Sequence, residues 1–426
     1  MIQRRKNCCF TTLLFYCSVV LLLCCSSALS WAKVYIDITS PAIKKLPIAI
    51  SDFEGPYGKE ISDIIRYDLD FSGLFDCLDS RAIIEKSSQP FNQRNWSALG
   101  AEIAVKGISR NDNGLSVLVS VYDVTEIKEI FRKEYRAGSN LLRPLAHSIS
   151  NDIYKQFTGQ DGIFRTRIAY VIRHKDHDSL NIMDWDGYRS FDSGVKGSVI
   201  LTPRWSRGGD FLLYSAERNR EWNIYLLDLK RALEKKVFSA SGTNMAGDII
   251  SGNEILLSST KDGNPDIFLY NVAETRLKRL TSLRGIEVSP AISPDGKSIV
   301  FVSNRDGTPQ LFVMDRDGYN IRRLTFQGSY NTSPSWSPKG DKIVFSGRVG
   351  GKNQIFTINP DGSNLTQLTD SGNNEDPCFS PDGRYIVFTS DRDGGKAIYI
   401  MRANGEAQRR ITPKGIRASS PRWAPN

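Results

Sequence analysis

Three histidines, His147, His174 and His177, are the whole supply of imidazole in the chain. Imidazole is the side chain that most readily moves a proton or holds zinc near neutral pH. His174 and His177 sit together in His174-Lys175-Asp176-His177-Asp178, where a metal needs a third organised ligand, so this segment reads as a solvated hairpin. His147 lies in a helical stretch and reads as structural or exposed. Asp315-Arg316-Asp317-Gly318 opens like a calcium loop but lacks the distal Glu, and fits a tight turn with Gly at the φ > 0 position. There is no Gly-x-Ser-x-Gly nucleophile elbow and no Gly-x4-Gly-Lys-Ser/Thr phosphate loop. Catalysis is therefore not expected, and the chain reads as a binding protein. The rival class is a propeller enzyme or glycan binder.

The candidate binding residues owe their positions to a repeat. Residues 289–332 read SPAISPDGKSIVFVSNRDGTPQLFVMDRDGYNIRRLTFQGSYNT, and the pattern returns from Ser333 and again from Pro377. Each copy holds four short β-rich runs separated by turn residues such as Pro294-Asp295-Gly296. Four strands in some forty residues is the size of one β-propeller blade. A four-stranded sheet with two apolar faces cannot cover both alone, but a ring of such sheets can. The apolar centre of the second strand recurs at Ile168, Leu212, Ile255, Ile299, Ile343 and Ile386, always 43 or 44 residues apart. That gives six blades. A seventh first-strand motif, Pro421-Arg422-Trp423-Ala424-Pro425, ends the chain. It is expected to pair beside residues 167–172 and close the ring, with Trp423 in the core.

First strands line the channel of a propeller, so the segments entering them meet at one mouth. These are residues 199–203, 243–247, 285–290, 330–334, 373–377 and 418–421. They bring together Asn244, Glu287, Tyr330, Asn331, Asn374, Glu375, Asp376 and Arg417 as a candidate docking surface.

The start of the chain reads as an export signal. Arg4, Arg5 and Lys6 precede a largely apolar run over 10–23, and Ser30-Trp31-Ala32 predicts cleavage after Ala32. The apolar run is short for a membrane span. Five of the seven cysteines fall in this leader, leaving Cys77 and Cys378, for which no disulfide is expected. Without the three leader cations the formal charge drops from +9 to +6, with Lys and Arg scattered among acids. This excludes a nucleic-acid footprint.

Residues 33–44 alternate Val34, Ile36 and Ile38 with Tyr35, Asp37 and Thr39, so they can form a strand. By its residues alone this segment is an edge strand first and a partner-binding peptide second. Residues 45–160 predict an α/β domain. Its strands fall near 46–53, 75–78, 102–109, 115–124 and 127–136. Helices are expected over 59–71, 92–99 and a final stretch whose stripe is Leu142, Leu145, Ala146, Ile149, Ile153 and Phe157. The division expected is a leader over 1–32, an α/β domain over 33–160 and the propeller over 161–426.

Several motifs then carry a resemblance. Pro47-Ile-Ala-Ile-Ser-Asp-Phe53, Asp68-Leu-Asp-Phe-Ser-Gly-Leu-Phe75, Trp96-Ser-Ala-Leu-Gly-Ala101 and the linker from Phe157 to Val171 precede the six blades. In this order they are similar to the TolB family of the periplasmic Tol–Pal system. The resemblance implies a monomeric, non-enzymatic periplasmic adaptor serving outer-membrane integrity and constriction during cell division. It implies that the propeller mouth binds the lipoprotein Pal, and it adds Thr243, Ala246 and Val288 to the surface. It assigns the mature N-terminus, with Lys33, Val34, Tyr35, Ile36, Asp37 and Ile38, to the inner-membrane protein TolA. Members of the family bind calcium in the channel in some complexes; no ligands for it are identifiable here. The chain departs from the family pattern at Thr243 and at Gly247-Asp248.

Overall fold

A computed structural model describes residue 36 and residues 44–425. The first unit is built on a five-stranded sheet ordered β2-β1-β3-β4-β5, with β1 Leu46–Ile50, β2 Phe75–Cys77, β3 Ile103–Asn111, β4 Leu115–Asp123 and β5 Lys128–Ala137. β1 pairs parallel with both β2 and β3, and the remaining pairs are antiparallel. Three helices accompany it: α1 Gly58–Ser72, α2 Gln93–Ser97 and α3 Leu142–Thr158. Period-two alternation divides the sheet between two faces. Ile48, Ile50, Ile103 and Val105 join the helices α1 and α3 in one core, while Ala49 and Ala104 pack with Trp96 of α2 on the other face. α3 stops where Gly159 takes φ 72° and returns its N–H to the carbonyl of Lys155, a left-handed cap that favours glycine.

Next comes a six-bladed β-propeller, six four-stranded antiparallel sheets in sequence order. Blades two to six are continuous in sequence. Blade one combines Arg167–Arg173, Asp178–Asp184 and Phe191–Gly197 with the C-terminal strand Ala418–Trp423. Ala418 pairs with Ile172 and Trp423 with Ile168, so the last strand closes the ring as expected. The alternation predicted for each blade arises because its sheet packs between two neighbours. Val300, Val302, Leu311 and Val313 face blade five, and Ile299, Phe301, Phe312 and Met314 face blade three.

Every innermost strand is bulged. In five blades the bulge residue directly precedes proline and has positive φ: Thr202, Ser289, Ser333, Asp376 and Ser420, all between 53° and 55°. Proline cannot donate to the ladder, so the ladder skips there and the strand bends along the channel wall. Blade three lacks the proline and shifts register between Ala246 and Ile249 instead. A Cβ on Gly247 would lie 2.8 Å from Pro290 Cγ and 2.9 Å from the Leu256 carbonyl, which accounts for glycine at this position.

The two units meet over a single continuous core. Phe71 of α1 stacks on Tyr385 at 5.2 Å and meets Trp185 at 5.3 Å. The guanidinium of Arg409 lies 3.9 Å from the Phe71 ring centre. His147 of α3 is buried here, so the expectation of a structural role holds and exposure does not. Its Nδ1 is 2.8 Å from Asp68, its Nε2 is 3.4 Å from Asp186, and Arg143 also pairs with Asp186. Burial works against the imidazolium, but the two carboxylates outweigh it and push His147 up to about 9.

Candidate functional site

Strand direction fixes the two ends of the ring. The loops from each outer strand to the next inner strand lie at one end, together with the hairpins between second and third strands. The Ser-Pro-Asp-Gly turns and the turns between third and fourth strands lie at the other. All contacts described above between the smaller unit and the propeller involve residues 185–186, 385 and 409, on the turn end. Among the described residues, the smaller unit therefore leaves the mouth expected from the sequence uncovered.

At that mouth stand large apolar side chains that the sequence reading did not single out. Leu283 and Ile286 are exposed on the loop into blade four, Phe326 on the loop into blade five, and Val349 on the blade-five hairpin. Phe326 is 74% exposed, a poor resting state for a phenyl ring in water unless something covers it. The guanidinium of Arg323 lies 5.1 Å from its ring centre, and Arg348 lies 4.4 Å from that of Tyr330. Aromatic rings and arginines together are the side chains that contribute most at protein interfaces. They stand at different positions of their loops, so no repeat pattern in the sequence marks them.

The predicted residues divide. Arg417 is exposed and, with Asp376, Asp391 and Lys396, lines a cleft of about 660 Å³ at this end. Thr243, Val288, Tyr330 and Glu375 are half-buried. Glu375 Oε2 pairs with Lys396 at 2.7 Å, and Oε1 accepts from Asn353 and Asn373. Burial raises its pKa, yet these partners lower it further than burial lifts it. Ala246 is buried, with its backbone N–H donated to Ser215 Oγ at 2.7 Å.

Asn244, Glu287, Asn331 and Asn374 do not present side chains to the mouth, and here the expectation needs correcting. All four are buried first residues of inner strands. Asn244 donates to the carbonyls of Trp222 and Ala240, Asn331 to Gln310 and Gln327, and Asn374 to Gln354 and Ser371. Glu287 accepts two bonds from Arg305, at 2.7 and 2.9 Å. The three asparagines hold each of their blades to the one before it, whereas Glu287 ties the start of its inner strand to Ser303 and Arg305 of the same blade. A polar residue recurring at the first inner-strand position of blades three to six serves the repeat, and that periodicity was the clue to their structural use.

His174 and His177 stack at 4.6 Å in the blade-one hairpin, and His174 bonds Ser179 Oγ at 2.9 Å. Among the described residues no three His, Cys, Asp or Glu side chains converge as a metal site. The channel wall carries the guanidinium groups of Arg204 and Arg422 instead. This does not fit a channel cation. Of the N-terminal peptide only Ile36 is described. Its N–H donates to the Phe157 carbonyl at 2.8 Å and its side chain joins the core. Lys33, Val34, Tyr35, Asp37, Ile38 and the cleavage position Ala32 lie outside the described residues.

Comparison with known proteins agrees with this geometry. Residues 34–130 match the model of the TolB amino-terminal domain and residues 154–426 that of the TolB beta propeller domain. The Tol-Pal system protein TolB of Alcanivorax borkumensis is 32% identical over 244 residues, 54% of this chain and 56% of that protein. Its counterpart in Dechloromonas aromatica is 30% identical over 52% of this chain and 53% of that protein. The chain thus spans about half the length of the curated relatives it matches. The crystal structure of TolB from Acinetobacter baumannii superposes with a TM-score of 0.81 at 26% identity, over 92% of this chain and all of that one. With both domain models matched in order along one closed ring, the chain belongs to the TolB family.

Proposed function

We propose that the chain is a periplasmic adaptor of the Tol–Pal system, docking the lipoprotein Pal on the propeller mouth and offering its mature N-terminus, after removal of the leader at Ala32, to TolA. It acts by binding, as a monomer, with no catalytic step, and serves outer-membrane integrity and constriction during division. The observation that carries this reading is the apolar rim of Leu283, Ile286, Phe326 and Val349 at the end of the ring left uncovered. A standard interface buries about 800 Å² on each partner, which a rim spanning neighbouring blades can supply. Arg417 and the Glu375–Lys396 pair supply a polar border to it.

The docked backbone of Ile36 supports a second part of the reading. A peptide that docks on the body through such a residue can exchange between body and partner. Membership in the family, and relatives named as Tol-Pal system proteins, favour these partners over a glycan or a small substrate. The test is a pull-down with the mature chain against the soluble domains of Pal and TolA. Recovery of Pal by the full chain but not by a rim variant, and of TolA only when residues 33–44 are present, supports the proposal. Equal recovery in every arm contradicts it.

A further inference from the structure

The channel has a second, differently built end. Between the Ser-Pro-Asp-Gly turns lies a cavity of about 570 Å³ whose lining includes Arg204, Asp248, Trp205, Trp336 and Arg422. Arg422 is only 6% exposed, yet among the described residues no carboxylate pairs with it. The hydrogen bonds it makes run from Nη1 to the carbonyls of Asp376 and Pro421, at 3.1 and 2.9 Å. A guanidinium has five N–H donors, and among the described residues Nε and Nη2 of Arg422 meet no acceptor. Arg204, 8% exposed, pairs through Nε with Asp248 at 2.9 Å and gives Nη1 to its neighbour's carbonyl. The other oxygen of Asp248 is already taken by the backbone N–H of Ile292. Asp376 accepts from the hydroxyls of Ser333 and Ser420. Of these two buried cations only Arg204 has an ion-paired carboxylate, and burial together with the charge of Arg422 pushes Arg204 down to about 10.

A buried charge without a counter-ion is costly unless something supplies the opposite charge. Guanidinium groups are matched in shape to carboxylate and phosphate. The indole N–H groups of Trp205 and Trp336 are committed to the carbonyls of Arg422 and Ala291, so these residues offer the cavity aromatic surface rather than donors. We propose that this end of the channel is an oxyanion site, in which Arg422 and Arg204 hold a carboxylate or phosphate group and the two tryptophans flank the body that carries it. The site lies at the opposite end from the apolar rim and does not depend on how the rim is used.

The test is titration of the mature chain with inorganic phosphate, acetate or benzoate, ionic strength held constant with sodium chloride, following tryptophan fluorescence. A saturable change beyond that of chloride is expected, weakened roughly tenfold or more in Arg422→Gln, as loss of charge-assisted hydrogen bonds implies. Phosphate binding tightest identifies a phosphate site, and benzoate binding tighter than both identifies a carboxylate with an apolar body. No response beyond chloride, an unchanged response in Arg422→Gln, or saturable binding of calcium in this cavity overturns the proposal. Since Arg422 adjoins the ring-closing Trp423, a second measurement needs no variant. Wild-type crystals soaked in selenate should show an anomalous peak between Arg204 and Arg422, and a peak only elsewhere, or none, overturns it equally.

Discussion

Trp423 donates its indole N–H to the hydroxyl of Thr166 at 2.8 Å, a bond that joins residues 257 apart in sequence. It fastens the last strand of the chain to the connection between the two units, at the point where the ring would otherwise open. The bond is buried and the indole sits 6.3 Å from the ring of Tyr385, itself stacked on Phe71. Closure of the propeller and docking of the smaller unit therefore draw on the same cluster of side chains.

Trp423→Ala should destabilise the chain by about 3–5 kcal/mol, the usual cost of emptying a large buried aromatic site. Ending the chain at Ser420 should cost at least as much. Thermal melting checks both, and a truncated chain with the parent melting temperature would mean that the last strand does not close the ring.

His147 gives the stability a pH dependence of definite sign. Its folded value of about 9 lies above the unfolded value near 6.5. Its contribution is therefore complete below about pH 6.5 and is lost as pH rises through about 9. Besides Asp68 and Asp186, the groups around it include Asp184 and Arg143. Burial holds the Asp68 carboxyl above its ordinary value even beside the imidazolium, whereas Asp186 is held below, so His147→Ala at pH 6 uncovers the Asp186 carboxylate above all and should cost about 3 kcal/mol. Denaturant titrations at pH 6 and pH 9.5 should show the gap between wild type and variant narrowing at the higher pH. A gap that widens would reverse the assigned charge.

Glu287→Ala should act on folding first. It leaves the half-buried Arg305 without its carboxylate, at about 3 kcal/mol, while Glu287→Gln should lose less because it keeps an acceptor. If either variant melts like the parent and is defective only in partner binding, Glu287 is a recognition residue and not a clasp.

Ile286→Arg and Phe326→Ala should do the reverse. Both side chains are exposed, so melting should move by less than about 0.5 kcal/mol. Loss of a central anchor should weaken binding of Pal's soluble domain about 30-fold or more. Calorimetric titration of each variant measures this directly.

The sequence made some parts of this molecule legible and hid others, for reasons visible in particular residues. The series from Ile168 to Ile386 could be counted because second strands are unbroken and buried on both faces. Inner strands reach back into the segments expected to enter them. The strand of blade four begins at Glu287, inside residues 285–290, and the bulge at Ser289-Pro290 breaks the alternation that would have revealed it. The same interruption made the buried clasp of Asn244, Glu287, Asn331 and Asn374 look like surface loop. The burial of His147 stayed open in the sequence because the apolar stripe of α3 accounts for only one of its buried faces. Arg143, His147 and Asn151, spaced i, i+4, i+8, mark the second, and Asn151 bonds Asp161 and the N–H of Gly162 in the linker. The rim of Leu283, Ile286 and Phe326 has no period at all, so only the closed ring brings it together.

The most direct measurement is hydrogen exchange of the mature chain with and without Pal's soluble domain. New protection should concentrate in residues 282–286, 326–330 and 349–351, at the uncovered mouth. Protection confined to the smaller unit or to the Ser-Pro-Asp-Gly turns, or no protection at saturating Pal, would contradict the account.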